Sequence, residues 1–373
     1  MVSAAETLTL RQINRATLAR QMLLARERTT PVRAIERLVA LQAQWPRPPF
    51  LGLWSRVEGF ERAQLAALFA RRTVVRATFL RATIHVVTAR DFVALRPAVQ
   101  PALEGAMQGI LRDRLKRIDL DGLIARARAI LDGQPLTFEQ LRDEFLRTDP
   151  HADERAMGYA VRMLLPLVQV PADEAPWAFP AQASFAPADR WLAREVATTP
   201  APPDQLLVRY LTAYGPASTK DFQAWSGVPP PSIREAIDRL GSRLRRFGDD
   251  HRRELFDLAD APRPEADTPA PVRLVPEYDN LITARADERF VARAHRPRVF
   301  LSALRIAATV LVDGFVAGTW KLQATKKAAV LTVEPFARLP ARVNKEVLAE
   351  ADALARFAEP TAKSVDVKVL APR

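Results

Sequence analysis

One pattern recurs three times along this 373-residue chain: short amphipathic helices followed by a pair of β-rich runs. The clearest copy lies between 203 and 258. Apolar residues at three- and four-residue spacing predict a helix from Pro203 to Tyr214, stopped by Gly215-Pro216. Ser218 or Thr219 then caps KDFQAW, Gly227 turns the chain, and PPSIREAIDRL makes the next helix with proline in its first turn. SRLRRFG (242–248) and RRELFDL (252–258) read as strands around Asp249-Asp250. Three helices and a hairpin describe a winged helix-turn-helix.

The other two copies are looser. Helical spacing covers 10–24, 31–41 and 60–70, before the β-rich runs TVVRATF (73–79) and TIHVVT (83–88), and helix resumes at Asp91. The second copy has helices at 121–131 and 153–165, and between them FEQLRDEFL, where Thr137 and Gln140 fit a capping box. Its wing, VQVPADEAPWAFPAQASF, is a poor ladder because proline donates no amide hydrogen bond. APRPEADTPAP (261–271) reads as a linker. From Val272 the texture turns to β runs, VRLVP, RIAATVLVDG, FVAGTWKL and AVLTVEP, with Asp313-Gly314 as a turn signal and a last helix over 342–357. The predicted fold class is α+β and predominantly helical: three tandem winged helix-turn-helix units plus a small C-terminal α+β region. The expected divisions are 1–118, 119–200, 201–262 and 272–360, with 361–373 a disordered tail.

Composition narrows the function. The net charge is +12, and Arg supplies 47 of the 55 basic residues. Arg pairs bidentately with phosphate, so the excess favours an anionic polymer; codon bias in a GC-rich genome is an equal explanation from charge alone. With no cysteine, disulfides, thiolate metal sites and a Cys nucleophile are excluded. Four histidines, none paired at ligand spacing, predict no metal site, and no cofactor is expected. No apolar run reaches the length of a membrane span and no signal-peptide core is present, so a cytoplasmic monomer without membrane contact is the expectation.

The stretch most suggestive of chemistry is LQAQWPRPPFLGLWSRV (41–57). Prolines 46, 48 and 49 prevent the preceding helix from continuing. If Gln42 to Gln44 are extended, both amides share one face and Ala43 points the other way. Two surface glutamines after a helix is the plainer reading of that spacing. Trp54 is expected as packing and Arg56 as surface. Five arginines, Arg243, Arg245, Arg246, Arg252 and Arg253, cluster on the third hairpin, either as a solvated wing or as phosphate contacts. No lysine precedes Lys116, so a Schiff-base lyase step near the glutamines is not expected, and no Gly-rich phosphate loop with Lys is present.

LQAQ with its Pro-rich turn, RATIHVVTARDF (81–92), LVPEYDNLITAR (274–285) and VDGFVAGTWKL (312–322) resemble, in order, the recurrent segments of the AlkZ/YcaQ-type winged-helix DNA glycosylases. The resemblance implies catalysis by Gln42 and Gln44, in the branch with two glutamines: where some relatives place Asp, this chain has Gln44. It also implies DNA contacts by Arg81, Thr83 and His85. Glu277, Tyr278 and Asp279 are justified only as structural, a buried Tyr between carboxylates. The implied activity is monofunctional hydrolysis of the N-glycosidic bond of alkylated, cationic purines in double-stranded DNA, with interstrand crosslinks as a further candidate substrate. A Gln amide is no general base, so the pair suits a reaction whose leaving group is already good. The alternative is a non-catalytic winged-helix regulator, since fold alone does not give function.

Overall fold

The computed structural model describes residues 6–148, 150–151, 153–284, 287–325 and 327–372. The chain opens with β1 (Thr7–Leu8), α1 (Leu10–Arg20), α2 (Pro31–Leu38), β2 (Leu41–Gln42), α3 (Pro48–Trp54) and α4 (Arg62–Ala70). The strands β3 (Val74–Thr78) and β4 (Ile84–Thr88) follow. Thr9 and Gln12 form a capping box on α1, and Thr30 with Pro31 starts α2. The left-handed Val39 (φ 68°) ends α2 before the expected position. Pro48 and Pro49 stop no later helix; they occupy the first turn of α3, where a missing amide costs nothing.

The 23-residue α5 (Ala89–Leu111) leads to α6 (Leu120–Gly133), α7 (Phe138–Thr148), α8 (Glu154–Leu164), β5 (Leu167–Gln169), β6 (Phe185–Pro187) and α9 (Ala188–Leu192). The predicted box on α7 is present: Thr137 N donates to Gln140 Oε1 (2.9 Å) and Gln140 N to Thr137 Oγ1 (3.2 Å). Next come α10 (Asp204–Tyr214), α11 (Thr219–Ser226), α12 (Pro230–Leu240), β7 (Leu244–Asp249) and β8 (Glu254–Leu258). Ser218 caps α11, and Gly227 in the left-handed region ends it.

The remainder is β9 (Arg273–Val275), α13 (Asn280–Thr283), α14 (Arg296–Val299), β10 (Ala308–Val312), β11 (Phe315–Ala324), β12 (Ala328–Pro335), α15 (Ala341–Ala358) and β13 (Ser364–Val369). Residues 361–373 are therefore not a loose tail over the described part. SVDVKV alternates with period two and pairs parallel to β12, with Val365, Val367 and Val369 packed on the cluster that α15 covers.

The chain is thus α+β, with three sheets, ordered β1-β7-β8, β2-β4-β3-β5-β6 and β13-β12-β11-β10-β9. The wing strand β5 joins β3 (Ala77 opposite Val168), fusing the first two hairpins into one sheet. One hydrophobic cluster runs from Val39 and Phe79 through Leu103, Leu131 and Val161 to Leu207 and Trp225. The boundaries expected at 118/119 and 200/201 fall inside this shared core. The segment at 261–271 is not free either: Arg11 Nε donates to Ala266 O (2.8 Å) and Arg15 Nε to Thr268 O (2.7 Å).

Two contacts lock the last sheet to the first helices. The Asp313-Gly314 turn closes β10 on β11 with both φ positive (49° and 80°), as its sequence predicts. Gly314 lies so close to Asn14 and Leu18 that an added Cβ would come within 2.6 Å of each. On the other side, Arg56 is not on the surface. It is 1% exposed and forks onto Asp279, both N–O distances being 2.8 Å. Trp54 packs on Phe357 and under the Arg26 guanidinium. Arg15, Arg20, Arg56, Arg96 and Arg289 are all interior, so part of the Arg excess is structural.

Candidate active site and nucleic-acid interface

The glutamine segment is pinned from three sides. In β2, Leu41 pairs with Val86 and Gln42 with His85, and Ala43 N extends the pairing by donating to Ile84 O (2.7 Å). Arg76, on β3, reaches across with Nη2 to Ala43 O (2.8 Å) and Gln44 O (3.2 Å). Asn280 Nδ2 donates to Ala40 O (2.6 Å), immediately before the strand. Asn280 follows directly on the Glu277-Tyr278-Asp279 segment, which thereby positions the residue that fixes the strand's base.

Alternation holds. Ala43 is fully buried in the core, while Gln42 and Gln44 both line a cleft of about 420 Å³. Arg81, Thr83, Tyr278, Thr283, Phe300, Ala303, Leu304 and Ile306 complete its wall. Both amides are held in a defined sense by groups that can only donate. Arg81 Nη2 donates to Gln42 Oε1 (2.7 Å), and Ile84 N donates to Gln44 Oε1 (2.9 Å). An amide nitrogen cannot accept, so neither side chain can be flipped without losing its bond. Each amide oxygen keeps a second lone pair.

Arg81 itself adopts left-handed φ (53°) in the short connection between β3 and β4, and its Nη1 donates to Trp225 O (2.8 Å). Burial lowers its pKa to about 10, so it stays cationic at neutral pH. It shares its position with carbonyl oxygens rather than with a carboxylate.

His85 lies opposite Gln42 and so on the same sheet face, yet its ring is completely buried. In the folded chain without DNA the ring therefore presents no surface to the cleft. Its Nδ1–H donates to Thr83 O (3.0 Å), leaving Nε2 as a buried lone pair without a hydrogen-bond partner. Burial, and then the charge of Arg81, push its pKa down to about 3, so the imidazole is neutral.

The third hairpin exposes Arg243, Arg245, Arg246 and Arg252, with Arg253 half-buried. Arg245 pairs with Glu6 (3.0 Å), Arg246 with Glu254 (2.7 Å) and Arg253 with Asp249 (2.6 Å). Asp250 at the tip accepts from Leu10 N (3.0 Å), so the hairpin end is docked on α1.

Sequence reasoning missed the most exposed members of this region. Trp45, directly after Gln44, is 63% exposed, and Leu304 is 91% exposed at the cleft wall. The proline neighbours of Trp45 hinted that it could not join a helix; nothing in the pattern around Leu304 distinguished it from a core leucine. Arg285, within one of the quoted segments, lies outside the described residues.

The fold is shared with a solved DNA glycosylase AlkZ from Streptomyces sahachiroi, with a TM-score of 0.79 over 98% of this chain and 100% of that one at 22% identity. A relative described as an interstrand DNA cross-link repair glycosylase, also from Streptomyces sahachiroi, is 30% identical over 147 residues. That match covers 37% of this chain, which thus spans 38% of the relative's length. A model of one family, DNA glycosylase AlkZ-like, matches residues 35–357, and the chain belongs to that family.

Proposed function

We propose that the protein is a monofunctional DNA glycosylase that hydrolyses the bond from deoxyribose to an alkylated, cationic purine and leaves an abasic site. The observation that carries this reading is the pair Gln42 and Gln44 on one cleft wall, each with its carbonyl oxygen fixed by a donor-only partner. Alkylation at a ring nitrogen places positive charge on the base, so the glycosidic bond breaks with its electron pair going to the base. The purine leaves neutral, and the charge passes to the sugar as an oxocarbenium ion. Preset amide dipoles stabilise that charge and orient the water that attacks it. The water's proton passes to solvent after attack, since no amide accepts it. Gln44 orients the water and Gln42 lies near the sugar. Unmodified purines stay intact because no carboxylic acid lines the cleft among the described residues.

Double-stranded DNA is the partner, held as a monomer along the winged-helix repeats and the exposed arginines of the β7–β8 hairpin. The three helix-and-hairpin repeats act as tandem winged helices around a concave surface, braced by the C-terminal sheet. The name of the curated relative supports interstrand crosslinks as substrates of this cleft too. Family membership favours this reading over a regulator.

The test is release of base from duplex DNA carrying N7-methylguanine, read as strand breaks after alkaline cleavage of abasic sites. Release by the wild type, lost in the Gln42→Ala, Gln44→Ala double variant, supports the proposal. Wild-type rates in that variant refute the amide mechanism, and no release by either leaves the regulator.

A further inference from the structure

A second cavity, of about 570 Å³, opens between α7 and α8 and shares no lining residue with the glutamine cleft. Its walls are fixed. Leu141 and Phe145 on α7, and Ala156, Ala160 and Val161 on α8, are buried in the main core. Asp153 caps α8 by accepting from Ala156 N (3.0 Å), and the Phe138 ring packs on Phe185 with centroids 4.3 Å apart. Gln182, from the segment before β6, lines the third side. Such a volume lies within the range of roughly 300–1,000 Å³ that takes small organic ligands.

Arg162 sets this cavity apart. Its guanidinium lies between two rings, 5.3 Å from the Phe138 centroid and 5.5 Å from that of Tyr159. The interior arginines all have oxygens to bind: Arg76, Arg81 and Arg96 donate to backbone carbonyls, and Arg20 and Arg289 to carboxylates. Arg162 makes no hydrogen bond or ion pair with any described residue, and burial pushes its pKa down. The acids of the lining do not compensate it, because Glu139 and Glu154 both face Arg142, at 3.8 and 3.5 Å. Arg155 lies on the same face of α8, two turns or about 10 Å along the axis from Arg162. It is exposed and likewise unpaired among the described residues. Between the two, Gly158 leaves the helix backbone bare, and an added Cβ would meet nothing within 4 Å. Glycine inside a helix is destabilising, and no neighbour in the fold requires this one.

We propose that this cavity binds a nucleotide: Arg162 forks onto its phosphate, Arg155 adds a second cation at the mouth, and the base lies over the bare backbone at Gly158 against Tyr159. The site is independent of the glutamine cleft. Phosphate suits the donor set, because a guanidinium presents parallel N–H groups at the spacing of two phosphate oxygens and stays charged at neutral pH. An aromatic base suits the remaining space, since Tyr159 offers a ring to stack on and a Gln182 amide pairs with a base edge as donor and acceptor. Two sources present that chemistry: a free nucleotide, or a nucleotide of a DNA strand passing α8, the third helix of the second repeat.

The experiment titrates the full chain calorimetrically with deoxyadenosine monophosphate, deoxyadenosine and inorganic phosphate, using wild type, Arg162→Gln and Gly158→Leu. Gly158→Leu fills the cavity without removing a charge and puts a good helix former in place of a poor one, so it melts no lower than wild type. Wild type binds the monophosphate saturably, and deoxyadenosine and phosphate each bind at least about tenfold more weakly. Both variants lower the affinity for the monophosphate by about tenfold or more. Repeating the titration with undamaged duplex present separates the sources: displacement assigns the site to a DNA strand, and undiminished binding to a free nucleotide. No saturable binding at millimolar monophosphate overturns the site, as does binding that neither variant weakens. Phosphate binding as tightly as the monophosphate overturns the assignment of a nucleotide. Should Gly158→Leu melt below wild type, Arg162→Gln decides alone.

Discussion

Arg81 holds Gln42 by its carbonyl oxygen, Nη2 to Oε1 at 2.7 Å, across the wall of the candidate cleft. The same guanidinium is tied to Trp225 O, so the orientation of Gln42 depends on the third helical repeat. Arg81→Ala should therefore lower base release by about 10²-fold, the scale of losing one preset dipole, while DNA affinity changes less. In a double-mutant cycle with Gln42→Ala the two losses should overlap strongly. Additive losses would mean that Arg81 acts on DNA independently of Gln42.

Gln44 is fixed by Ile84 N–H at 2.9 Å, a bond that a carboxylate would also accept. Gln44→Glu should therefore keep the strand geometry and leave release measurable or raised, because it adds a base and a negative charge facing the oxocarbenium ion. Gln44→Ala should cost about 10²–10³ in rate with binding nearly intact. Single-turnover release and duplex binding, measured in parallel, separate the two effects.

Much of this arrangement could be read in the chain before its structure. Period-two alternation at Gln42-Ala43-Gln44, the Thr137 capping box and the Asp313-Gly314 turn each depend on neighbours a few residues away. The misreadings share the opposite property. Arg56 was expected at the surface because its partner, Asp279, is 223 positions along the chain. The full burial of His85, with Phe79 edge-on to its ring, was likewise not legible from the alternation of its strand. The pairing of β5 with β3, which joins the first two hairpins in one sheet, is a register that no local pattern encodes. The strand at 364–369 was legible in its alternation and was hidden by its lysine-bearing, terminal setting.

The Arg56–Asp279 pair joins α3 to the segment that fixes the glutamine strand. Removing one partner strands a buried charge, so Arg56→Ala or Asp279→Ala should destabilise by about 3–5 kcal/mol. Replacing both by Leu and Met should recover much of that loss. Urea unfolding of the three variants checks it. A single variant within about 0.5 kcal/mol of wild type would show that the pair is solvated in solution.

His85 supplies a pH signature. Its folded pKa, near 3, lies below the unfolded value of about 6.5, so the unfolded chain binds the extra proton first. Its contribution is complete above about pH 6.5 and declines as pH falls towards about 3, at up to about 1.4 kcal/mol per unit. From about pH 7 to about pH 5, wild type should lose about 2 kcal/mol more stability than His85→Gln. Denaturant melts at the two pH values test this, and identical losses would place a charged imidazole within the fold. Base release should show no step near the ordinary histidine pKa that His85→Gln abolishes.

The arginines of the β7–β8 hairpin are already occupied in the free protein, Arg245 by Glu6 and Arg246 by Glu254. All four side chains are roughly half exposed, and exposed pairs of this kind contribute about 0–1 kcal/mol, so a phosphate can displace either carboxylate at little cost. If both arginines transfer to phosphates, each releases about one counterion and steepens the dependence of log affinity on log salt by about 0.9. Arg245→Ala with Arg246→Ala should then flatten that slope by about 1.8 and weaken all duplexes alike. Glu6→Gln with Glu254→Gln should do the reverse to affinity: with no carboxylates to displace, binding tightens at low salt. Fluorescence anisotropy of a labelled duplex across a salt series measures both. A slope unmoved by the Arg pair, together with an affinity unmoved by the Glu pair, would leave the hairpin solvated and shift the search for phosphate contacts to Arg243 and Arg252.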